Sequence, residues 1–339
     1  MISTSRPIPI FPGSAEVIEM NLDSLVAELR GFAGITRKRR IGDLLSYFPI
    51  ASDRILASFG EDAAVIDNGD EVLLLAADGI WSLLMEADPH WAGYCSVLVN
   101  VHDIAAMGGV PLAMVDVLSV SSPEVGEKVL QGMRQGIEKF GVPIIGGHLH
   151  PDTPYSALDV AILGRARKDA LILSSSARPG ESIVAAVDLD GRLHPKFSVN
   201  FDSTSFKDPM LLQKQLSSMP ELAKRGLVRA GKDISNPGLL GTLGMLLETS
   251  GVGGRVDLDR ILIPPGIELL SWLKVYPGMG FVVTTMDPEQ TVKVFQSCGL
   301  AAAAIGQVTQ ARELLVSQGL KEALLFDFRK DCVTGISAV

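Results

Sequence analysis

The sequence predicts an α/β chain of the α+β kind in two domains, and three observations carry that prediction. Through the first half, short apolar runs bounded by turn residues (GEDAAVID, EVLLLAADGIW, LAMVDVLSV) alternate with helical stretches. Between Lys168 and Gly180 the pattern breaks, where SSSARPGE puts serines, a proline and a glycine in place of apolar periodicity. Beyond the break, helix and strand candidates mix without the repeated βαβ unit of a long parallel sheet. A length of 339 residues, 47% of them hydrophobic, supplies apolar material for two buried cores. The expected organisation is a loose tail over 1–20, a first domain over 21–168 and a second over 169–339.

The start, MISTSRPIPIFPGSAEV, lacks the long apolar core of a secretion signal. From about Asn21, LDSLVAELRGFAG reads as a short amphipathic helix ended by glycine. The run Arg37-Lys38-Arg39-Arg40 follows, ahead of a second helix, IGDLLSYF; such a run is either a solvated face or a grip for phosphate. Ala63 to Ile66 open a strand just after Gly60-Glu61-Asp62, and Val72 to Ala77 form another that stops at Asp78-Gly79. Trp91 to Pro111 then reads as one helix, closed by Gly108-Gly109 and Pro111. After it come the strand LAMVDVLSV and a helix over PEVGEKVLQGMRQGIEKF with Gly141 at its exit. VPIIGGHLHPD is expected to be a short strand broken by Gly146-Gly147, and LDVAILGRARKD a strand leaving the first domain.

In the second domain ESIVAAVDLDG is a strand into a turn, and 208–230 are helical. Ser235 or Asn236 is placed to cap a helix whose first position is Pro237 and whose far end is Gly251. The remainder alternates between helix and strand, with GMGFVVTT, AAAAIGQV, ELLVSQ and EALLFDF as strand candidates suited to antiparallel pairing.

A net charge of -9 argues against a general nucleic-acid role, because binding a phosphate backbone needs a basic face. No run approaches the roughly eighteen apolar residues of a membrane span. Cys95, Cys298 and Cys332 are few, odd in number and widely spaced, which suits a reducing cytoplasm and gives no zinc pattern. No GxxxxGK[ST], strand-linked GxGxxG, GxSxG or HExxH is present. A nucleotide, if one binds, must be held through a carboxylate-bound metal.

The residues that point to such a metal begin on the Trp91–Pro111 helix. Asn100 and Asp103 are three positions apart, so they leave one face about a turn apart. Their neighbours are apolar, and a buried carboxylate needs a counter-charge. Asp62 and Asp78 stand at strand starts or ends beside equally apolar backbone. Acids from separate elements converge without repulsion when a hard divalent cation lies among them, and magnesium so held usually grips nucleotide phosphates. The plainer alternative is that each acid merely caps or ends its own element. Gly146-Gly147 would let backbone amides approach a phosphate or nucleotide edge, and the Ser235-Asn236 helix start is a further potential anion site. His148, His150 and Asp152 alternate along an extended chain, a spacing open to a transition metal.

The order of these segments resembles the aminoimidazole ribonucleotide (AIR) synthetase superfamily, which includes thiamine-monophosphate kinase, selenophosphate synthetase and the hydrogenase-maturation protein that dehydrates a carbamoyl group. GEDAAVID is similar to the family's GDDAAV loop, AADGI to its S-T-D strand end and NVHDIAAMGG to its N-x-x-D-I-x-A-M-G helix. IIGGHLH is similar to its glycine pair, and DISNPGLLG to the D-I-S/T-x-G-L segment opening its second half; the resemblance covers the chain from about Gly60 to Val308.

The resemblance implies an AIR-synthetase-like fold and a homodimer whose N-terminal sheets pair into a barrel, with an α+β second domain. ATP and magnesium would be bound by the first half. It further implies magnesium ligands at Asp62, Asp78 and Asp103, catalytic roles for Asp62, Asp103 and Asp233, and nucleotide contacts from Asn100, Gly146, Gly147, His148, Ser235 and Asn236. The implied reaction phosphorylates an oxygen of a small polar metabolite, turning ATP into ADP. Several family features are altered. The kinase's GGD is GGH at His148, its D-I-S-D-G-L acid is Asn236, and its G-G-E-D-Y has no counterpart in YPGMGFVV. No cysteine precedes Cys95, where selenophosphate synthetase has its reactive residue, and Cys332 lies short of the C-terminus that ends in cysteine in the maturation branch. These departures place the chain in an AIR-synthetase-related subgroup of unassigned substrate. They also motivate a rival: a non-catalytic nucleotide-binding or scaffolding homodimer of the same fold.

Overall fold

The computed structural model describes residues 21–336. The expected loose tail over 1–20 lies outside them. The first half runs α1 (Leu22–Gly31), α2 (Ala33–Thr36), α3 (Ile41–Leu44), β1 (Ile55–Ala57), β2 (Ala64–Asn68), β3 (Glu71–Gly79), α4 (Ser82–Ala87), α5 (Pro89–Ala106), β4 (Val110–Ser119), α6 (Pro123–Phe140), β5 (Ile144–His150) and β6 (Ala157–Arg167). The second runs β7 (Ser182–Val187), β8 (Arg192–His194), β9 (Phe197–Asp202), α7 (Pro209–Leu216), α8 (Ser218–Lys224), β10 (Ala230–Asp233), α9 (Gly238–Ser250) and β11 (Gly253–Asp257). It closes with α10 (Leu269–Leu273), β12 (Gly280–Thr285), α11 (Pro288–Ser297), β13 (Ala301–Thr309), β14 (Glu313–Gln318) and β15 (Lys321–Asp327).

Two mixed sheets organise the molecule. The first is ordered β1-β2-β3-β6-β4-β5, antiparallel except for the parallel β4–β5 pair. The second is ordered β10-β12-β7-β13-β11-β14-β15, with β11–β14 its parallel pair. The barrel expected of the first sheet is not formed. Closing a sheet requires its first and last strands to pair, whereas β1 and β5 are free edges, and among the described residues no sheet is closed. The chain keeps the two-part α+β character and loses that closure.

The helix α5 joins the two sheets. Asp88 caps it, accepting from the Trp91 amide at 3.2 Å, and Pro89 takes the first turn, where no amide partner is needed. It is buried on nearly every side, because β3 and β6 lie along one flank, α6 along a second and β10 of the second sheet against a third. The α5–α6 contact is made backbone to backbone. A Cβ on Gly93 would stand 2.0 Å from the Val129 carbonyl oxygen, and one on Gly132 would stand 1.9 Å from that of His90.

Gly146-Gly147 does not interrupt its strand, since β5 runs through both. Its glycine serves strand packing instead: a Cβ on Gly147 would meet the Asp116 carboxylate at 2.2 Å. The expected 208–230 helix is two helices, α7 and α8, meeting near Ser217. No helix among the described residues is long and apolar enough to cross a membrane.

Candidate active site

A cavity of about 310 Å³ opens at the seam of the two sheets. Four separate elements bring acids to it. Gly60, with φ at +98°, turns the chain so that Glu61 and Asp62 precede β2. Asp78 stands near the end of β3, Asp103 on α5 and Asp233 at the end of β10. Asp62, Asp103 and Asp233 each offer an oxygen, and the three lie within 4.8 Å of one another. Asp78 lines the same cavity outside that triplet.

The electrostatics of this cluster are dominated by loss of water. Burial, reinforced by repulsion from Asp78, Asp233 and Asp62, pushes the Asp103 carboxyl well above the ordinary range. Burial and the Asp62 charge do the same to Asp233. Burial also raises Asp78, against a modest opposing pull from Lys38. Asp62 is raised by burial despite the adjoining Lys232. One cation is already built in: the Lys232 ammonium donates to Asp62 Oδ1, to the Gly60 carbonyl at 3.2 Å and to Ser174 Oγ at 3.0 Å. Burial works against that ammonium, and Asp62, Glu61 and Asp233 together hold it above the usual lysine range. Glu61 lines the same cavity and anchors the loop, accepting from the Ser174 amide, the Ser175 amide at 3.3 Å and the Ser175 hydroxyl at 2.7 Å.

A divalent cation fits the donors that remain. With one ammonium for three carboxylates, the triplet stays fully ionised only if a further cation joins it. Asp62 Oδ2 is buried with no hydrogen-bond partner; Asn100 Oδ1 is unpartnered too, its amide donating to the Ser96 carbonyl at 2.8 Å, but Asn100 is not among the cavity-lining residues. An orphaned buried carboxylate oxygen is costly, by about 1–3 kcal/mol or more, unless a ligand meets it. Hard oxygen donors from carboxylates suit magnesium or calcium and not a thiolate-seeking metal.

The remaining expected residues divide by position. Ser235 and Asn236 line the cavity, but neither side chain caps α9. The chain instead enters that helix by a turn in which the Gly238 amide donates to the Ser235 carbonyl at 2.8 Å. Gly238 has φ at +70°, and a Cβ there would stand 2.0 Å from the Leu273 carbonyl oxygen, so the turn fits only glycine. Gly146, Gly147 and His148 are exposed on edge strand β5 and are not among the cavity-lining residues. His148 and His150 share a side, with ring centroids 4.5 Å apart. Among the described residues they do not form a three-ligand metal group.

Sequence reasoning missed Lys232, Trp81, Phe197, Asn200 and Tyr276, all of which line the cavity. The signal for Lys232 was present, a lysine beside Asp233 in a segment otherwise headed for burial. The others come from the β8–β9 hairpin and from loops, whose reach over the cavity is tertiary. Trp81 packs edge-on against Phe197 at 5.6 Å, and Trp91 Nε1 donates to Asn200 Oδ1 at 3.2 Å, holding that hairpin down.

Fold and site together define an α+β protein of two mixed sheets with a buried acidic centre at their junction. The chain belongs to the AIR synthase related protein family: the family's N-terminal domain matches residues 60–166 and its C-terminal domain 168–317. It is 44% identical over 323 residues to an uncharacterized protein of Methanocaldococcus jannaschii, a match covering 93% of this chain and 100% of the relative. Among solved structures it is similar in fold to Thermotoga maritima PurL complexed with ATP, with a TM-score of 0.70, 20% identity and coverage of 84% of this chain and 48% of PurL. It is also similar to PurL complexed with FGAR, with a TM-score of 0.75, 19% identity and coverage of 94% and 54%. The chain thus spans about half the length of PurL.

Proposed function

We propose that this protein is an ATP-dependent, magnesium-requiring enzyme that phosphorylates an oxygen of a small polar metabolite and releases ADP. The observation that carries the reading is the convergence of Asp62, Asp103 and Asp233 within 4.8 Å, with Asp62 Oδ2 left without a partner beside an open cavity. The fold likeness to PurL, which has been solved with ATP, supports it.

In this reading Asp62, Asp103 and Asp233 hold magnesium, and Asp78 lines the cavity beside them from the end of β3. Magnesium, when bound, supplies charge neutralisation on the phosphates of the nucleotide. Lys232 fixes Asp62 by one oxygen and leaves the other directed to the site. A lone pair of the acceptor oxygen forms the new bond to the γ-phosphorus, the bond from that phosphorus to the β–γ bridging oxygen breaks, and the electron pair leaves with ADP. Trp81, Phe197 and Tyr276 exclude water, so the acceptor rather than water receives the phosphoryl group.

The proposed assembly is a homodimer in a cytoplasmic setting. Its support is the exposed apolar face of the first sheet, described below, and three cysteines that form no disulfide. The domain limits at 168/169 belong to the same reading, resting on the change from β6 to the loop before β7.

Calorimetry of AMPPCP binding with and without magnesium tests the proposal. Magnesium-dependent binding is expected, weakened about 100-fold in Asp62→Asn and in Asp103→Asn, since each removes one charge-assisted ligand worth about 2–3 kcal/mol. Unchanged binding in both variants contradicts it. Binding without turnover across an acceptor panel favours the scaffolding homodimer.

A further inference from the structure

All four residues of β10 are buried, Lys232 among them, and a fully buried strand position rarely admits a lysine unless its charge is spent on a partner. The oxygens around this ammonium are of the kind a metal ion collects. Nζ donates to a carboxylate oxygen (Asp62 Oδ1), a backbone carbonyl (Gly60) and a hydroxyl (Ser174 Oγ), so each of its three N–H bonds is used. All three are hard oxygen donors, the set from which magnesium also draws its ligands.

The donors are held independently of the lysine. Ser174 gives its amide to Glu61, and its carbonyl accepts from the Ser250 hydroxyl at 2.7 Å. Gly60 and Asp62 lie in the loop before β2, Ser174 lies between β6 and β7, and Lys232 reaches them from the second sheet, where β12 pairs with it at Val282. The Asp62 carboxylate is thereby divided. Oδ1 accepts from the ammonium, and Oδ2 is buried without a partner. A carboxylate with one cation on each oxygen is the common bridge of two-metal sites, whose ions stand about 3.5–4 Å apart. Charge points the same way: within the triplet Lys232 offsets Asp62, and a single divalent ion offsets Asp103 and Asp233.

Resting on the reading above, we infer that Lys232 holds the place of a second metal ion. The acidic centre takes one divalent cation, among Asp62 Oδ2, Asp103 and Asp233, and the ammonium fills the position on Asp62 Oδ1 that a two-metal centre gives to another. Lys232 is a positioning residue in this account: it fixes the Asp62 carboxylate and sets the number of ions. Because this cation is covalently part of the chain, half of the charge pairing at Asp62 is in place before any ligand arrives. Removing it frees Asp62 Oδ1, the Gly60 carbonyl and Ser174 Oγ for a divalent ion, with the Glu61 charge acting at the same point.

The test titrates manganese into the full chain without nucleotide, follows the free ion by its paramagnetic resonance and locates bound ions by anomalous diffraction. The unaltered protein should hold about one ion in the centre and Lys232→Met about two, the second against Asp62 Oδ1, the Gly60 carbonyl and Ser174 Oγ. Lys38→Met, which removes another cavity-lining lysine, should still hold about one. Without metal Lys232→Met should unfold at a lower temperature than the unaltered protein, and manganese should restore most of the difference. A lysine of purely structural role gives the loss without the recovery. If Lys232→Met folds only in manganese, the inference is supported; if it folds in neither condition, it is contradicted. Two ions in the centre of the unaltered protein, or no added ion in folded Lys232→Met, overturns it. If the unaltered protein binds none and Lys232→Met binds one at the lysine's position, the enzyme reading falls while the role of Lys232 stands; no ion in either overturns both.

Discussion

The two sheets bury their strands differently. In the second, β12 is buried at all six positions and β7 at nearly all, because α9 packs on one face and α8 and α11 lie across the other. In the first, β3 and β6 alternate between buried and accessible residues, with α5 and α6 covering one face only. The uncovered face is nonetheless apolar. Leu75 pairs with Leu163 and Ala161 with Val115, and Leu75, Leu163, Val115 and Val117 are 46, 37, 44 and 45% exposed. A half-covered sheet ordinarily turns polar residues outward. Apolar residues on an open face mark a surface that meets another molecule, and in the proposed homodimer that molecule is a second copy, whose matching face needs no further partner.

The first sheet thus has one contact inside the chain and, in the proposed homodimer, a second of unlike kind between copies, and substitutions separate them. The largest effect belongs to the internal contact. Gly132→Val forces α6 away from the His90 carbonyl and should destabilise the chain by about 3 kcal/mol or more, read as a lowered midpoint in denaturant unfolding. Next comes the open face. Val115→Lys with Val117→Lys should weaken self-association about 100-fold in sedimentation while leaving the far-UV circular dichroism unchanged. A monomeric unaltered protein would remove that half of the comparison. The smallest is in the second half, where Glu248→Ala leaves the Val333 and Thr334 amides without their acceptor. A loss of about 2 kcal/mol is expected, together with faster proteolysis near Val333.

How much of this was legible varies with how local the cause is. The central helix could be read because its signals lie within one turn of chain. The expected span, 91–111, became Pro89–Ala106, with Asp103 lining the cavity at the seam and Asn100 buried one turn before it. Its C-terminal residues went to β4, which begins at Val110, before Pro111. Strands β2 and β3 were equally plain, since their apolar runs end at turn residues. β10 was not. Its residues AGKD lack any strand pattern, and they are extended because β12 pairs with them along their whole length and α5 and α9 cover them. Asp233 could thus be placed only through the family resemblance, and Lys232 escaped notice although it neutralises Asp62. Ser235 and Asn236 suggested a cap because the sequence shows residue types and not backbone direction. The left-handed turn at Gly238 sends both to the cavity wall. Sheet closure was the largest error: pairing between strand ends is not encoded in either strand alone.

The convergence of acids from both sheets around one divalent ion is tested most directly by diffraction from crystals grown with AMPPCP and manganese, using anomalous scattering to locate the metal. The account predicts an anomalous peak bounded by Asp62 Oδ2, Asp103 and Asp233, with the nucleotide phosphates beside it. A peak at His148 and His150 alone, or nucleotide bound in the cavity with no metal among those three carboxylates, would contradict it.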